Sequence, residues 1–120
     1  MSWLDMSTVQ EILHYMDLVG LREKLAVGNI ANIDTPGYKT LDINFHNALN
    51  RDNQELDSDP QPPPVYQVPD LIQRPDGNNV SLDRESVILA GVQLQYNTAI
   101  ALLKQQYSMI QLAITENNGA

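Results

Sequence analysis

The sequence predicts an all-α protein whose N- and C-terminal helices pair as a coiled coil, with an extended Pro-rich middle segment between them. Two observations carry this. Apolar residues recur at alternating spacings of three and four near both ends, and the intervening stretch is acidic and rich in proline. A third observation bounds it: 120 residues make one domain with a modest core, so any large assembly must come from copies or partners.

The first helix is expected near residues 8 to 33. Positions 9, 12, 16, 19, 23, 26, 30 and 33 read Val, Ile, Met, Val, Glu, Ala, Ile and Ile, so only Glu23 interrupts the seam. Ser7 or Thr8 is suited to cap its start by accepting from first-turn amides, and Pro36-Gly37 stops it, because proline lacks a donor and disfavours helical geometry at Thr35. Leu18, Leu21 and Leu25 form a second stripe, more apolar surface than one partner helix covers.

The last helix repeats the habit. Positions 82, 85, 89, 92, 96, 99, 103, 106, 110 and 113 are Leu, Glu, Leu, Val, Tyr, Ala, Leu, Gln, Ile and Ala. Asn79 or Ser81 can serve as N-cap, Asp83 and Glu85 favour the positive end of the helix dipole, and Asn117-Asn118-Gly119 ends the periodicity. A strict capping box fails because Arg84 occupies the third position after Ser81. Ile100, Tyr107 and Ile114 widen the stripe. The seam of the pair is therefore assigned to Ile12, Met16 and Val19 on one helix and Leu89, Val92, Tyr96, Leu103 and Ile110 on the other.

Three sections follow: 1–40 with the first helix, 41–80 as an extended acidic excursion, and 81–120 with the last helix, both ends forming one coiled-coil domain. Their net charges are −2, −5 and −1, so most of the charge sits in the middle. Pro60 and Pro62-Pro63-Pro64 sustain neither helix nor central strand. Val65–Val68 and Asp70–Gln73 have short strand character and together suggest a small β-hairpin. Arg74-Pro-Asp-Gly-Asn78 reads as a turn with proline preset for the second position.

Composition also excludes functions. Seven basic against fifteen acidic residues leave a net charge of −8, the wrong sign for neutralising nucleic-acid phosphates. Without cysteine there is no disulfide, thiolate zinc site or cysteine nucleophile, and two histidines do not make a metal site. The N-terminus lacks the basic and apolar regions of a cleaved signal. Ser86 to Leu103 is uncharged for eighteen residues, but Gln93, Gln95, Asn97 and Thr98 in its middle argue against a membrane span. Gly37-Tyr-Lys-Thr40 misses the spacing of a phosphate loop, because Tyr38 separates Gly from Lys. His14 and Asp17, one turn apart, have no third ligand, and His46 reads as a loop or helix-surface residue. Ser7, Ser58, Ser81, Ser86 and Ser108 lack a nucleophile elbow, and Asp52, Glu55, Asp57 and Asp59 read as solubilising charge. No catalytic, cofactor or metal residue is assigned.

The most specific string is Gly28-Asn-Ile-Ala-Asn-Ile-Asp-Thr-Pro-Gly-Tyr-Lys39. It resembles the signature of bacterial flagellar rod, hook and filament-junction proteins. Leu41–Phe45, Asp76–Glu85, Asn97 and Tyr107 look like the short proximal-rod members of that group. The likeness covers roughly residues 8 to 46 and 75 to 115; it departs at Gly28, where Ser or Gln is usual, and in the tail Ala113–Ala120, which lacks the usual basic ending. It marks Asn29, Ile30, Ala31, Asn32, Thr35, Pro36, Gly37 and Tyr38 as an assembly signature. Physically, Asn29 and Asn32 share a helical turn beside apolar neighbours and are placed to bond a neighbouring backbone from within the seam, while Tyr38 offers a large surface with a polar tip. The alternative is a helix C-terminus with solvated asparagines.

The resemblance implies a structural subunit of the flagellar basal-body proximal rod, assembling helically and transmitting torque from the membrane ring to the distal rod. It implies periplasmic placement after export by the flagellar type III apparatus. The implied partners are other copies, other rod proteins, the membrane (MS) ring and export-gate or rod-base adaptor proteins; nucleic acid and small-molecule substrates are not among them. The rival is a small soluble coiled-coil adaptor or secretion chaperone, which would close its apolar surface within a dimer.

Overall fold

A computed structural model describes residues 6–54 and 61–119. In order, the elements are α1 (Met6–Ala31), β1 (Leu41–Ile43), α2 (Phe45–Gln54), β2 (Val65–Gln67) and α3 (Leu82–Gly119). The chain is mostly helical, with two long helices at its ends and a small sheet between them.

α1 and α3 run antiparallel. Asn29 meets Glu85 at one end, Gly20 meets Tyr96 midway, and Ile12 shares a groove with Ala99 and Leu102 at the other. Val19, Ala26, Val92 and Ala99 are buried along this contact, so small side chains set a close approach. Gly20 has a specific reason to be glycine: a Cβ there would lie 2.7 Å from the Tyr96 hydroxyl.

The helix boundaries differ from the sequence expectation in three places. α1 already runs from Met6, so Ser7 and Thr8 lie in its first turn instead of capping it. Its other end comes two residues early, at Ala31, and Gly37 in the following turn has φ +76°. Of the two candidate caps for α3, Ser81 is in place, its hydroxyl accepting from the Arg84 amide at 3.3 Å. α3 continues through Asn117 and Asn118 to Gly119, past the point where its apolar periodicity ends.

The middle is less extended than its composition suggests. Asn44 Oδ1 accepts from the Asn47 amide at 3.1 Å and starts α2, a short helix that buries Ala48 and half-buries Phe45 and Leu49. The Phe45 ring meets Tyr15 edge-on at 5.5 Å. The anticipated hairpin of 65–68 with 70–73 does not form. β2 instead pairs antiparallel with β1, Leu41 opposite Gln67 and Ile43 opposite Val65, while Asp70–Gln73 is an irregular loop in which Asp70 adopts φ 65°. The long-range pairing wins because Val68 also donates to the Thr40 carbonyl at 2.9 Å, extending the ladder. The Arg74–Gly77 turn is present, closed by the Gly77 amide on the Arg74 carbonyl at 2.9 Å. Pro62 and Pro63 lie by Leu18 and Leu21, so α1's second apolar stripe is faced by its own chain.

Candidate functional site

The signature string folds into a polar clasp where α1 ends and α3 begins. Its centre is Asn29, fully buried on the last turn of α1. Nδ2 donates to the Leu41 carbonyl at 2.9 Å and to Glu85 Oε2 at 3.2 Å. Oδ1 accepts from the Tyr38 hydroxyl at 2.9 Å and from the Leu41 amide at 3.1 Å. Both donors and both lone pairs are used. A primary amide is needed here, since Leu41 must be met by an acceptor and a donor side by side.

Glu85 is equally buried, one turn into α3. Its other oxygen accepts from Arg84 at 2.7 Å, and Arg84 also donates to Asp42 Oδ2 at 2.6 Å. Arg22 approaches the same Asp42 from α1, at 3.3 Å and 3.4 Å. Two arginines and two carboxylates thus tie α1, β1 and α3 together with formal charges balanced. Burial would weaken the Arg84 charge, but hydrogen bonds to Asp42 and Glu85 outweigh it and hold its pKa above the ordinary value. Burial, then the nearby Glu85 charge, raises the Tyr38 phenol, which stays a neutral donor.

The turn leaving α1 is sewn to the loop entering α3. Asn78 Nδ2 donates to the carbonyls of Asn32 and Thr35, both at 2.9 Å, and the Arg74 guanidinium donates to the carbonyl of Ile33. These carbonyls lie just beyond the helix end; those of Asn32 and Thr35 also accept from the Thr35 and Tyr38 amides at 3.0 Å and 3.3 Å, so Asn78 gives each a second donor. Asn32 caps the same end by donating to the Gly28 carbonyl at 2.8 Å. The Gly37 amide donates to the Asp76 carbonyl at 2.9 Å, and Asn79 Oδ1 accepts from the Thr40 amide and hydroxyl at 2.7 Å and 2.8 Å. Among the described residues, no buried side-chain nitrogen or oxygen lacks a partner.

The two strings that carry the family resemblance, 28–39 and 76–85, are therefore one structural unit. Of the signature residues, Asn29 is buried; Ile30, Asn32 and Tyr38 are half-buried; Ala31, Thr35, Pro36 and Gly37 are exposed. The backbone that Asn29 bonds is the chain's own Leu41. Of the seam residues, Val19 and Val92 are buried, while Ile12, Met16, Leu89, Tyr96, Leu103 and Ile110 are half-buried. The sequence did not single out Arg22, Thr40, Asp42 or Asn78 for this site; Asn79 read as a helix-cap candidate and Glu85 as a helix-dipole residue, whereas Asn79 Oδ1 holds Thr40. One available signal was Glu85 itself, a charge on an otherwise apolar seam position.

His14 and Asp17 stay on the flank of α1 beside Pro62, and His46 contacts Asn50 one turn along α2 at 3.2 Å. Among the described residues, no three His, Cys, Asp or Glu side chains are grouped to hold a metal.

Fold and clasp define a small helical packing protein whose interior polar groups fix its own architecture. No protein-family model matches the chain. Relatives do. It is 31% identical over 112 residues to the flagellar basal body rod protein FlgB of Salmonella typhimurium, covering 76% of this chain and 80% of that protein. It is 28% identical over 124 residues to FlgB of Escherichia coli, covering 86% and 89% of the two chains. Against FlgB of Bacillus subtilis it is 26% identical over 121 residues, covering 90% and 93%. The chain belongs to the flagellar basal body rod protein FlgB family.

Proposed function

We propose that this chain is a structural subunit of the flagellar basal-body rod that assembles through the uncovered face of α3. One observation carries the reading. Opposite the α1 contact, Val87, Gly91, Leu94, Thr98, Ala101, Gln105, Ser108 and Leu112 follow 3,4 spacing along one face, and every one is exposed. None is charged. Val87, Leu94 and Leu112 are 73%, 68% and 62% exposed, an unusual arrangement for a helix surface that only water is to meet. By composition α3 is apolar enough to cross a bilayer, and only 11% of that apolar window is buried. Gln93, Gln95, Asn97 and Thr98 within it favour protein neighbours, which can satisfy polar side chains that hydrocarbon cannot.

In the assembled rod, α1 and α3 form a coiled-coil unit whose spare face packs on other copies and other rod proteins. A heterologous interface of this kind continues into a helix of subunits and spreads torque over many side chains. The ends, 1–40 and 81–120, act as one packing domain, and 41–80 braces it. The exposed tip Thr35-Pro-Gly37 and Ala31 are the signature residues free to touch neighbours, while Asn29 sets the geometry. Placement in the periplasm, export by the type III apparatus, and contacts with the MS ring and rod-base adaptors belong to the same proposal.

The test is genetic and biochemical. Cells lacking this chain should build no rods and not swim, and the tagged protein should copurify with basal bodies. A deletion strain with normal rods would refute the reading.

A further inference from the structure

Residues 61–64, Gln-Pro-Pro-Pro, cross the molecule between α1 and α2. On one side Pro62 and Pro63 face Leu18 and Leu21 across a groove of about 260 Å³. On the other, Pro63 and Pro64 face Ala48 and Arg51 across one of about 290 Å³. The segment is fixed at both ends. The Gln61 carbonyl accepts from the Arg51 guanidinium at 2.9 Å, and Val65 begins β2 opposite Ile43.

Its composition suits it to lie on apolar surface. Three consecutive prolines bring no backbone N–H that burial would strand, and their fixed φ means that little freedom is lost when the segment is held extended. Gln61, Pro62 and Pro64 are exposed, and none of the four residues is charged. Beneath this strap Leu18 is 4% exposed and Leu21 is half-buried, although both belong to the second stripe of α1. The comparable stripe on α3 is bare, with Leu94 68% exposed.

We propose that the Pro-rich strap is an assembly guard, which takes the place of a second copy of this chain on the Leu18–Leu21 stripe and leaves neighbours only the face of α3. The guard goes beyond the rod-subunit reading and stands without it; only the use of the α3 face rests on that reading. Without the strap, α1 and α3 would both be adhesive, and a subunit with two apolar faces accepts neighbours in more than one orientation. One covered face and one open face leave a single way to add.

The guard is tested on the purified chain in a Leu94→Asp background, which silences the α3 face. Pro62→Asp/Pro63→Asp sets two charges against Leu18 and Leu21 and beside Asp17, and should lift the strap. The helical spectrum should stay unchanged, since 61–64 lies outside every helix. The chain has no cysteine, so Leu21→Cys reports exposure of the stripe without background. Its thiol should label about tenfold faster once the strap is lifted. In sedimentation the lifted chain should form concentration-dependent dimers, and adding Leu21→Ser should return it to monomer. Unchanged labelling, a lifted chain that stays monomeric, or dimers that survive Leu21→Ser each overturn the guard. Loss of the helical spectrum in the Pro62/Pro63 variant overturns it as well, by showing the strap to be part of the core. None of these measurements involves rods or swimming, so failure of the guard and failure of the rod reading are told apart.

Discussion

Replacing Asn29 by alanine distinguishes the clasp from a solvated helix end, because the two predict opposite signs. In the structure the substitution strands the Leu41 amide and carbonyl, removes one of the two supports of Glu85, and frees the Tyr38 hydroxyl. Each buried group left without a partner costs about 1–3 kcal/mol. Tyr38 is half-buried and can reach water, and Glu85 keeps Arg84, so the two Leu41 groups dominate. Alanine returns about 0.5 kcal/mol of helix propensity. The net expectation is a loss of about 2–4 kcal/mol, a large share of the 5–15 kcal/mol typical of a domain. Urea unfolding followed by circular dichroism reads it directly. Asn29→Asp should cost at least as much despite its matching shape, since it cannot donate to Leu41 and places a second carboxylate beside Glu85. A neutral or stabilised Asn29→Ala protein would refute the reasoning.

Gly20→Ala should yield none of the helix-propensity gain of about 1 kcal/mol in the native chain, because Tyr96 must shift, but should recover it in a Tyr96→Phe background; thermal melts of the four-member cycle check this. Asp42→Asn should destabilise the fold by about 2–3 kcal/mol in urea titrations, less than for a fully buried pair because Arg22 and Arg84 are partly exposed. Tyr38 has a phenol pKa raised by folding, so its contribution is intact below the unfolded value near 10.0 and is lost as pH rises through the folded value; stability measured from pH 8 to 11.5 should fall more steeply than in Tyr38→Phe.

The long helices were legible because their periodicity is local and extends over many turns. α2 was not, since a ten-residue helix with Asn44 as cap and only Phe45, Ala48 and Leu49 as its apolar face lies inside a polar run. The sheet was misread for a different reason. Strand character in Val65–Gln67 was visible, but its partner is 24 residues upstream, and nearby Asp70–Gln73 offered a more local pairing. At the site, Asn29 and Tyr38 stood out from the signature, whereas Asp42, Asn78 and Glu85 reach α1 and the turn after it through contacts with sequence separations of 20 to 56. The spare surface on α1 was also read as wanting other molecules, and part of it is met by residues 61–63 and α2 of the same chain. Among the described residues, the spare face on α3 has no such cover.

Assembly rests on that face of α3. Leu94→Asp places a charge at the middle of it without touching the α1 contact, so the purified variant should keep the native helical content and unfolding midpoint. Basal bodies should then be isolated from cells carrying it as the sole copy. A folded, soluble subunit and no rods is the expected result; intact rods containing Leu94→Asp at native yield would contradict assembly through this face.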